Sequence, residues 1–350
     1  MTSTPASASK KLNSLLQGLL GNETLVYIIK RVFQGLLTLL LASALSFAII
    51  QLAPGDSLST LREDPTISAE TVQLWERRYG FDKPAYIQYL LWLWQIVSRF
   101  DFGPSVIYAG RSASSLILER VFNTLILSVC SIIVTWAIAL PLGIIAAVNQ
   151  NRFPDKFLRV ISYIGQGFPS FVTALLLLIA AQYISPLLPI GGMTILDHSD
   201  LSTVGKALDI AWHLILPTLA LSVTSFAGLQ RLTRGELLDV LRQDYIQTAR
   251  AKGLPENKVI YVHALRNAIN PLITLLGFEF GSLLSGAFIT ENLFNWPGVG
   301  KVTLQAVLAL DIFLVMASLM MGAVMLIIGN LLADLLLKFA DPRIKLENLK

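Results

Sequence analysis

Long apolar runs separated by short polar stretches recur along the whole chain. Six of them approach or exceed the roughly 20 residues that a helix needs to cross the hydrocarbon of a bilayer. They extend from Val32 to Leu52, Leu116 to Val148, Leu158 to Ile184, Ala211 to Gln230, Pro271 to Thr290 and Val315 to Leu337. Several exceed what a bilayer requires, which predicts tilt or extension beyond the membrane. The expected fold class is all-α integral membrane, with six transmembrane helices.

The polar stretches set a direction. Lys10, Lys11, Lys30 and Arg31 precede the first run, and Arg152, Lys156 and Arg159 cluster between the second and third. The connection from the fourth to the fifth holds Arg231, Arg234, Arg242, Arg250, Lys252, Lys258 and Arg266, and Lys338, Arg343, Lys345 and Lys350 follow the last. The third-to-fourth connection is acidic, with Asp197, Asp200 and Asp209 against Lys206. Excess Lys and Arg mark cytoplasmic loops, so both termini are expected inside. The expected organisation is a cytoplasmic tail over residues 1–24, a membrane domain over 25–344 and a short cytoplasmic tail over 345–350. Within the domain, 53–115 is an external elaboration and 231–268 a cytoplasmic loop. In the elaboration, Ser68-Ala69-Glu70 predicts a capped helix start, and a helix bearing Trp92 and Trp94 is expected at the membrane interface, where indoles settle.

Composition agrees with the pattern. The chain is 54% hydrophobic and 14% charged with a net charge of +4, and its mean hydropathy is +0.63. A soluble domain carries about a quarter charged residues. The basic residues sit at the ends of the runs with no aromatic-interleaved basic face, which argues against nucleic acid as a partner. The single cysteine, Cys130, lies within a run and forms no intrachain disulfide. His198, His213 and His263 are far apart in sequence and outside any ligand motif, so no metal site is expected.

One segment breaks the apolar rhythm: DYIQTARAKGLPENKVIYVHALRNA, from Asp244 to Ala268. Asp244 can cap a helix that begins at Tyr245. Gly253 suits a left-handed C′ position, and Pro255 can open the next helix. A kink or restart is expected at Asn270-Pro271, where the fifth run begins. Such a short helix either lies on anionic lipid or docks into a groove of a soluble partner. Thr248, Ala249 and Gly253 are poor lipid anchors, and that favours docking.

At these residues the chain resembles the membrane subunits of ATP-driven (ABC-type) importers. Gln247-Thr248-Ala249, three residues, then Gly253 resembles the family's Glu-Ala-Ala…Gly loop with Gln in place of Glu. The wording from Asp244-Tyr245 through Thr248-Ala249-Arg250-Ala251-Lys252-Gly253-Leu254 is similar to that of dipeptide and oligopeptide permeases. The likeness extends from about Leu25 to Ile344. It takes in Ala53-Pro54-Gly55-Asp56, Asp101-Phe102-Gly103-Pro104-Ser105, Trp212-His213, Glu291-Asn292-Leu293-Phe294, Trp296-Pro297-Gly298-Val299-Gly300 and Asp341-Pro342-Arg343-Ile344. Phe100 stands where Gly usually precedes Asp101. The resemblance implies a type I importer fold, in which this subunit pairs with a second related permease, two cytoplasmic ATPases and an external solute-binding protein. It also implies that Asp244, Tyr245, Gln247, Thr248, Ala249, Lys252, Gly253 and Leu254 form a coupling helix seated on one ATPase.

The chain carries no motor of its own. Its nearest approach to a phosphate loop, Asn295 to Val302, lacks both the first Gly and the hydroxyl after Lys301, and reads as a turn. The chain is therefore expected to be no enzyme and to bind no cofactor, with ATP and Mg on the partner ATPases. Glu279, flanked by Gly277 and Gly281 within the fifth run, is a candidate lining of the solute pathway or else a buried structural acid. Gln166, between Gly165 and Gly167 and close to Pro169, marks a break in the third run that is tolerable where it lines a cavity. Asp334 and Lys338, one turn apart, read as an ion pair. An intramembrane enzyme would need convergent catalytic groups, and none is visible. A channel or proton-coupled carrier built on Glu279 would leave the docking segment without a purpose. Dipeptides or oligopeptides are the expected solutes, and nickel, glutathione or another small compound is the alternative.

Overall fold

A computed structural model describes residues 22–52, 67–79, 83–105, 107, 108, 110–184 and 188–340. The tail residues 1–21 and 341–350, and the Ala53-Pro54-Gly55-Asp56 and Asp341-Pro342-Arg343-Ile344 motifs, lie outside them. The described residues are helical, apart from connecting loops and one isolated bridge between Pro104 and Ser112.

The helices in chain order are α1 (Asn22–Leu52), α2 (Ala69–Tyr79), α3 (Ala85–Arg99), α4 (Ala113–Val148), α5 (Phe153–Gly167) and α6 (Ser170–Ile184). α7 (Thr203–Leu241), α8 (Asp244–Ala251), α9 (Leu265–Leu293), α10 (Val299–Leu308) and α11 (Ile312–Ala340) follow. Among the described residues, five stretches are long and apolar enough to cross a membrane, and a sixth results when α5 and α6 form one span bent by 101°. The expected break near Gln166 is therefore real. Phe168 takes an extended conformation, and the amides of Val172 and Thr173 start α6 on the Pro169 carbonyl.

The spans outrun the apolar runs because polar caps set their ends. Ser112 caps α4 by accepting from the Ser115 amide at 3.3 Å, and Ser202 caps α7 through the Gly205 amide at 3.2 Å. Ser68 likewise receives the Thr71 amide at 3.2 Å and opens α2, as expected. The restart expected at Asn270-Pro271 does not occur, since α9 runs unbroken through Pro271. Neighbouring helices can hold such a proline in line within a bundle. The irregularity lies earlier, in a π-helical segment from Val259 to Ala264.

α7 packs chiefly on α4, and α9 chiefly on α11. α1 stands apart, with only 11% of its apolar window buried, against α11 and α3. Tyr27 and Arg31 of α1 meet Asp334 of α11 at 2.6 and 2.8 Å. Asp334 thus joins the first and last spans, a role beyond the local pair expected with Lys338.

Candidate functional site

α8 lies at the end of the bundle where α4 and α7 finish and α9 begins. Gln243 is the N-cap, without a side-chain capping bond, and Asp244 is the first helical residue. The carboxylate expected as the cap thus sits one position inside, where it favours the positive end of the helix dipole. The other terminus is a Schellman motif. The Gly253 amide bonds the Arg250 carbonyl at 2.9 Å, the Leu254 amide bonds the Ala249 carbonyl at 3.4 Å, and Gly253 has φ +73°. A Cβ on Gly253 would meet nothing within 4 Å, so the backbone angle, not space, requires glycine. Arg250 spans the bend to Glu256 at 2.6 Å, and the Glu256 carboxylate holds its guanidinium above the usual range.

One face of α8 is locked into the spans. Ile246 and Ala249 are buried against Ile144 of α4, Leu237 of α7 and Val259 and Ala264 of the π-helical segment. Ala249 packs inward, on the side away from the exposed face. Asp244, Tyr245, Gln247, Thr248, Lys252 and Gly253 form the exposed surface, and Leu254 is half-buried against the same core. The Tyr245 hydroxyl receives a 3.1 Å bond from Asn267, which ties the exposed face to α9 as well. Gln247 borders a hollow of about 300 Å³ with Gln150, Arg242 and Arg250.

Along the second half of α7, that helix and α9 flank an open cleft of about 620 Å³. Thr224, Arg231, Glu236, Asp239, Leu275 and Glu279 are among its lining residues. The Trp136 indole of α4 donates to Glu279 at 3.1 Å, and Arg231 donates to Gln166 at 2.7 Å. The two candidate pathway residues are therefore brought to one region: Glu279 lines the cleft, and Gln166 braces a lining arginine beside the α5–α6 break. Trp136, Glu236 and Asp239 had not been singled out from the sequence, and Arg231 had served only as an orientation marker. A signal was present, because Thr224, Gly228, Arg231, Gly235 and Asp239 recur at three- and four-residue spacing, one polar or small stripe down α7.

The opposite end is closed by buried acids. Glu291 accepts from Thr124 Oγ1 at 2.7 Å and from the Lys301 amide at 3.0 Å. A Cβ on Gly298 would lie 2.1 Å from its Oε1, and one on Gly300 would lie 2.5 Å from the Phe288 Cα. The stretch from Asn295 to Val302 is thus a turn leading into α10, and it cradles the Glu291 carboxylate at the end of α9. Asp311 accepts from Ser105 Oγ at 2.6 Å and from the Leu314 amide at 3.1 Å, pinning the elaboration to the start of α11. Asp209 gathers His198 at 2.6 Å and His213 at 3.1 Å, so two histidines remote in sequence share one carboxylate. Among the described residues no group of three or more His, Cys, Asp or Glu forms a metal-holding cluster.

Known proteins place this arrangement. Residues 139–346 match the family described as binding-protein-dependent transport system inner membrane component, and residues 24–126 match that family's N-terminal domain. An oligopeptide transport system permease protein of Bacillus subtilis is 39% identical over 319 residues, covering 91% of this chain and 99% of its own length. A dipeptide transport system permease protein of Escherichia coli K12 is 34% identical over 337 residues, covering 92% of this chain and 99% of its own. A glutathione transport system permease protein of the same strain is 35% identical over 324 residues, covering 91% and 98%. The chain belongs to the family of inner membrane components of binding-protein-dependent transport systems.

Proposed function

We propose that this chain forms half of the solute pathway of an ATP-driven peptide importer, and that α8 is its mechanical link to a cytoplasmic ATPase. The observation that carries this reading is the seating of α8. Its inner face is fixed among α4, α7 and the segment leading into α9, while its outer face, with Tyr245, Thr248 and Lys252, is exposed. A push on that face moves several spans together, because packed interiors transmit displacement instead of absorbing it. The basic clusters at this end support a cytoplasmic α8 and cytoplasmic termini. A second related permease completes the pathway, two ATPases supply the energy with ATP and Mg, and an external solute-binding protein delivers the solute. Relatives named for oligopeptides and dipeptides support a peptide solute, with glutathione the nearby alternative.

The cleft supplies a chemical reason for a peptide. Glu236, Asp239 and Glu279 place three acids beside one Arg231 in its lining, a balance that favours a ligand's ammonium group over a second carboxylate. Charged hydrogen bonds contribute on the order of 1.5–3 kcal/mol, so Glu279→Gln is expected to lower uptake of a free-amino dipeptide about tenfold or more. Uptake of an N-acetylated analogue should change less. Equal effects on both solutes would remove Glu279 from the pathway. The link is tested separately by crosslinking from a cysteine at Thr248 or Lys252 in the assembled complex. Crosslinks to an ATPase are expected from both, and their absence together with ATPase co-purification would place the contact elsewhere.

A further inference from the structure

Helix α3 carries a stripe that no other element covers among the described residues. Tyr86, Leu90, Trp94 and Val97 are 68%, 60%, 65% and 79% exposed and recur at helical spacing. Trp92, on the other side, is buried and donates its indole N–H to the Phe102 carbonyl at 2.9 Å. The two indoles expected together at the interface are thus divided, one in the core and one outside.

The depth of α3 follows from its bonds to α1. Gln51 donates to Gln88 at 3.1 Å. The Tyr89 hydroxyl lies 2.8 Å from Ser43 Oγ and 3.1 Å from the Leu40 carbonyl. At 1.5 Å per residue, Gln51 lies about 30 Å along α1 from Arg31, a full hydrocarbon thickness, and Ser43 lies about 12 Å short of Gln51. Arg31, paired with Asp334, is the first charged residue at the other end of the Val32–Leu52 apolar run. Tyr89 therefore reaches well below the polar limit of the span, and the α3 backbone rides at the boundary itself. At that level α1 presents Leu45, Ile49 and Leu52, which are 64%, 59% and 85% exposed.

We propose that α3 is embedded in the bilayer leaflet distal to α8, with Tyr86, Leu90, Trp94 and Val97 against lipid. Lys83 before the helix and Arg99 at its end are exposed and reach the head groups. Amphipathic helices with Trp and Leu on one face and basic ends settle in this layer. The elaboration between the first two spans is then anchored at its base by lipid as well as by Asp311. This reading rests on membrane residence of the family, not on the solute or on the direction of transport.

The test uses the full chain in the assembled transporter, reconstituted in phosphatidylcholine–phosphatidylglycerol nanodiscs. In a Cys130→Ala background, nitroxide labels at Y86C, L90C, W94C and V97C are compared for collision with oxygen and with a water-soluble nickel chelate. Oxygen is expected to dominate at all four positions. Brominated lipid should quench the wild type, and W94F should lose part of that quenching. Nickel dominance at the four positions overturns the proposal. So does protection from oxygen that appears only when solute-binding protein is added, or that persists in detergent because the second permease covers the stripe. Peptide uptake measured in parallel separates these outcomes from a failure of the transport reading.

Discussion

Single residues decide the two ends of the molecule in opposite ways. At Gly253 the demand is an angle, and at Gly298 it is space. Gly298→Ala would drive a methyl into the Glu291 carboxylate, 2.1 Å from Oε1 in an unrelaxed frame. Overpacking of this kind costs about 1–3 kcal/mol. The expected result is a lowered melting temperature in detergent with membrane insertion retained, and an unchanged melt would mean that the turn relaxes freely. Ile246 is completely buried on the inner face of α8. Ile246→Ala is expected to cost about 2–5 kcal/mol locally, read as faster proteolysis between Gln243 and Glu256 that leaves the distal end protected. The Arg250–Glu256 pair is half-exposed; such pairs contribute about 1 kcal/mol or less. Arg250→Ala should therefore leave the melt nearly unchanged, and a large drop would show that the pair holds the bend.

Among the elements, α8 can act as the proposed lever only while it stays continuous with the spans. Its Schellman end and the π-helical segment after it turn the chain through a defined corner, and Tyr245 adds a bond to Asn267. Gly253→Ala at φ +73° costs about 1–2 kcal/mol, enough to open the corner without unfolding the bundle. The expected phenotype is ATP hydrolysis that persists in the assembled complex while uptake falls. Uptake and hydrolysis falling in equal proportion would point to lost assembly instead. The α5–α6 break is the other informative element. Gly165, Gly167 and Pro169 announced it in the sequence, and the bend of 101° at that point brings Gln166 to Arg231.

For the molecule as a whole, span number, charge asymmetry and the outline of α8 were legible because they depend on local composition. A run of apolar residues needs no partner to declare itself, and glycine at a left-handed position is local chemistry. The cleft was only half legible. Glu279 and Gln166 stood out as polar groups within apolar runs, whereas Trp136 looks like any lipid-compatible aromatic until α4 is laid beside α9. The direction of Ala249 was likewise beyond reach, since small residues serve close packing on either side of a helix and only the fold says which side is inner. Pairing across long separations belongs entirely to the tertiary structure. Asp334 with Arg31, Asp311 with Ser105, and His198 with Asp209 join groups that no periodicity relates. Apolar length and charge placement were enough to assign the bilayer and the number of crossings, since lipid imposes them on each segment independently. Which faces meet, where the acids converge and which side of α8 remains open required the packed helices, because those are properties of pairs of segments.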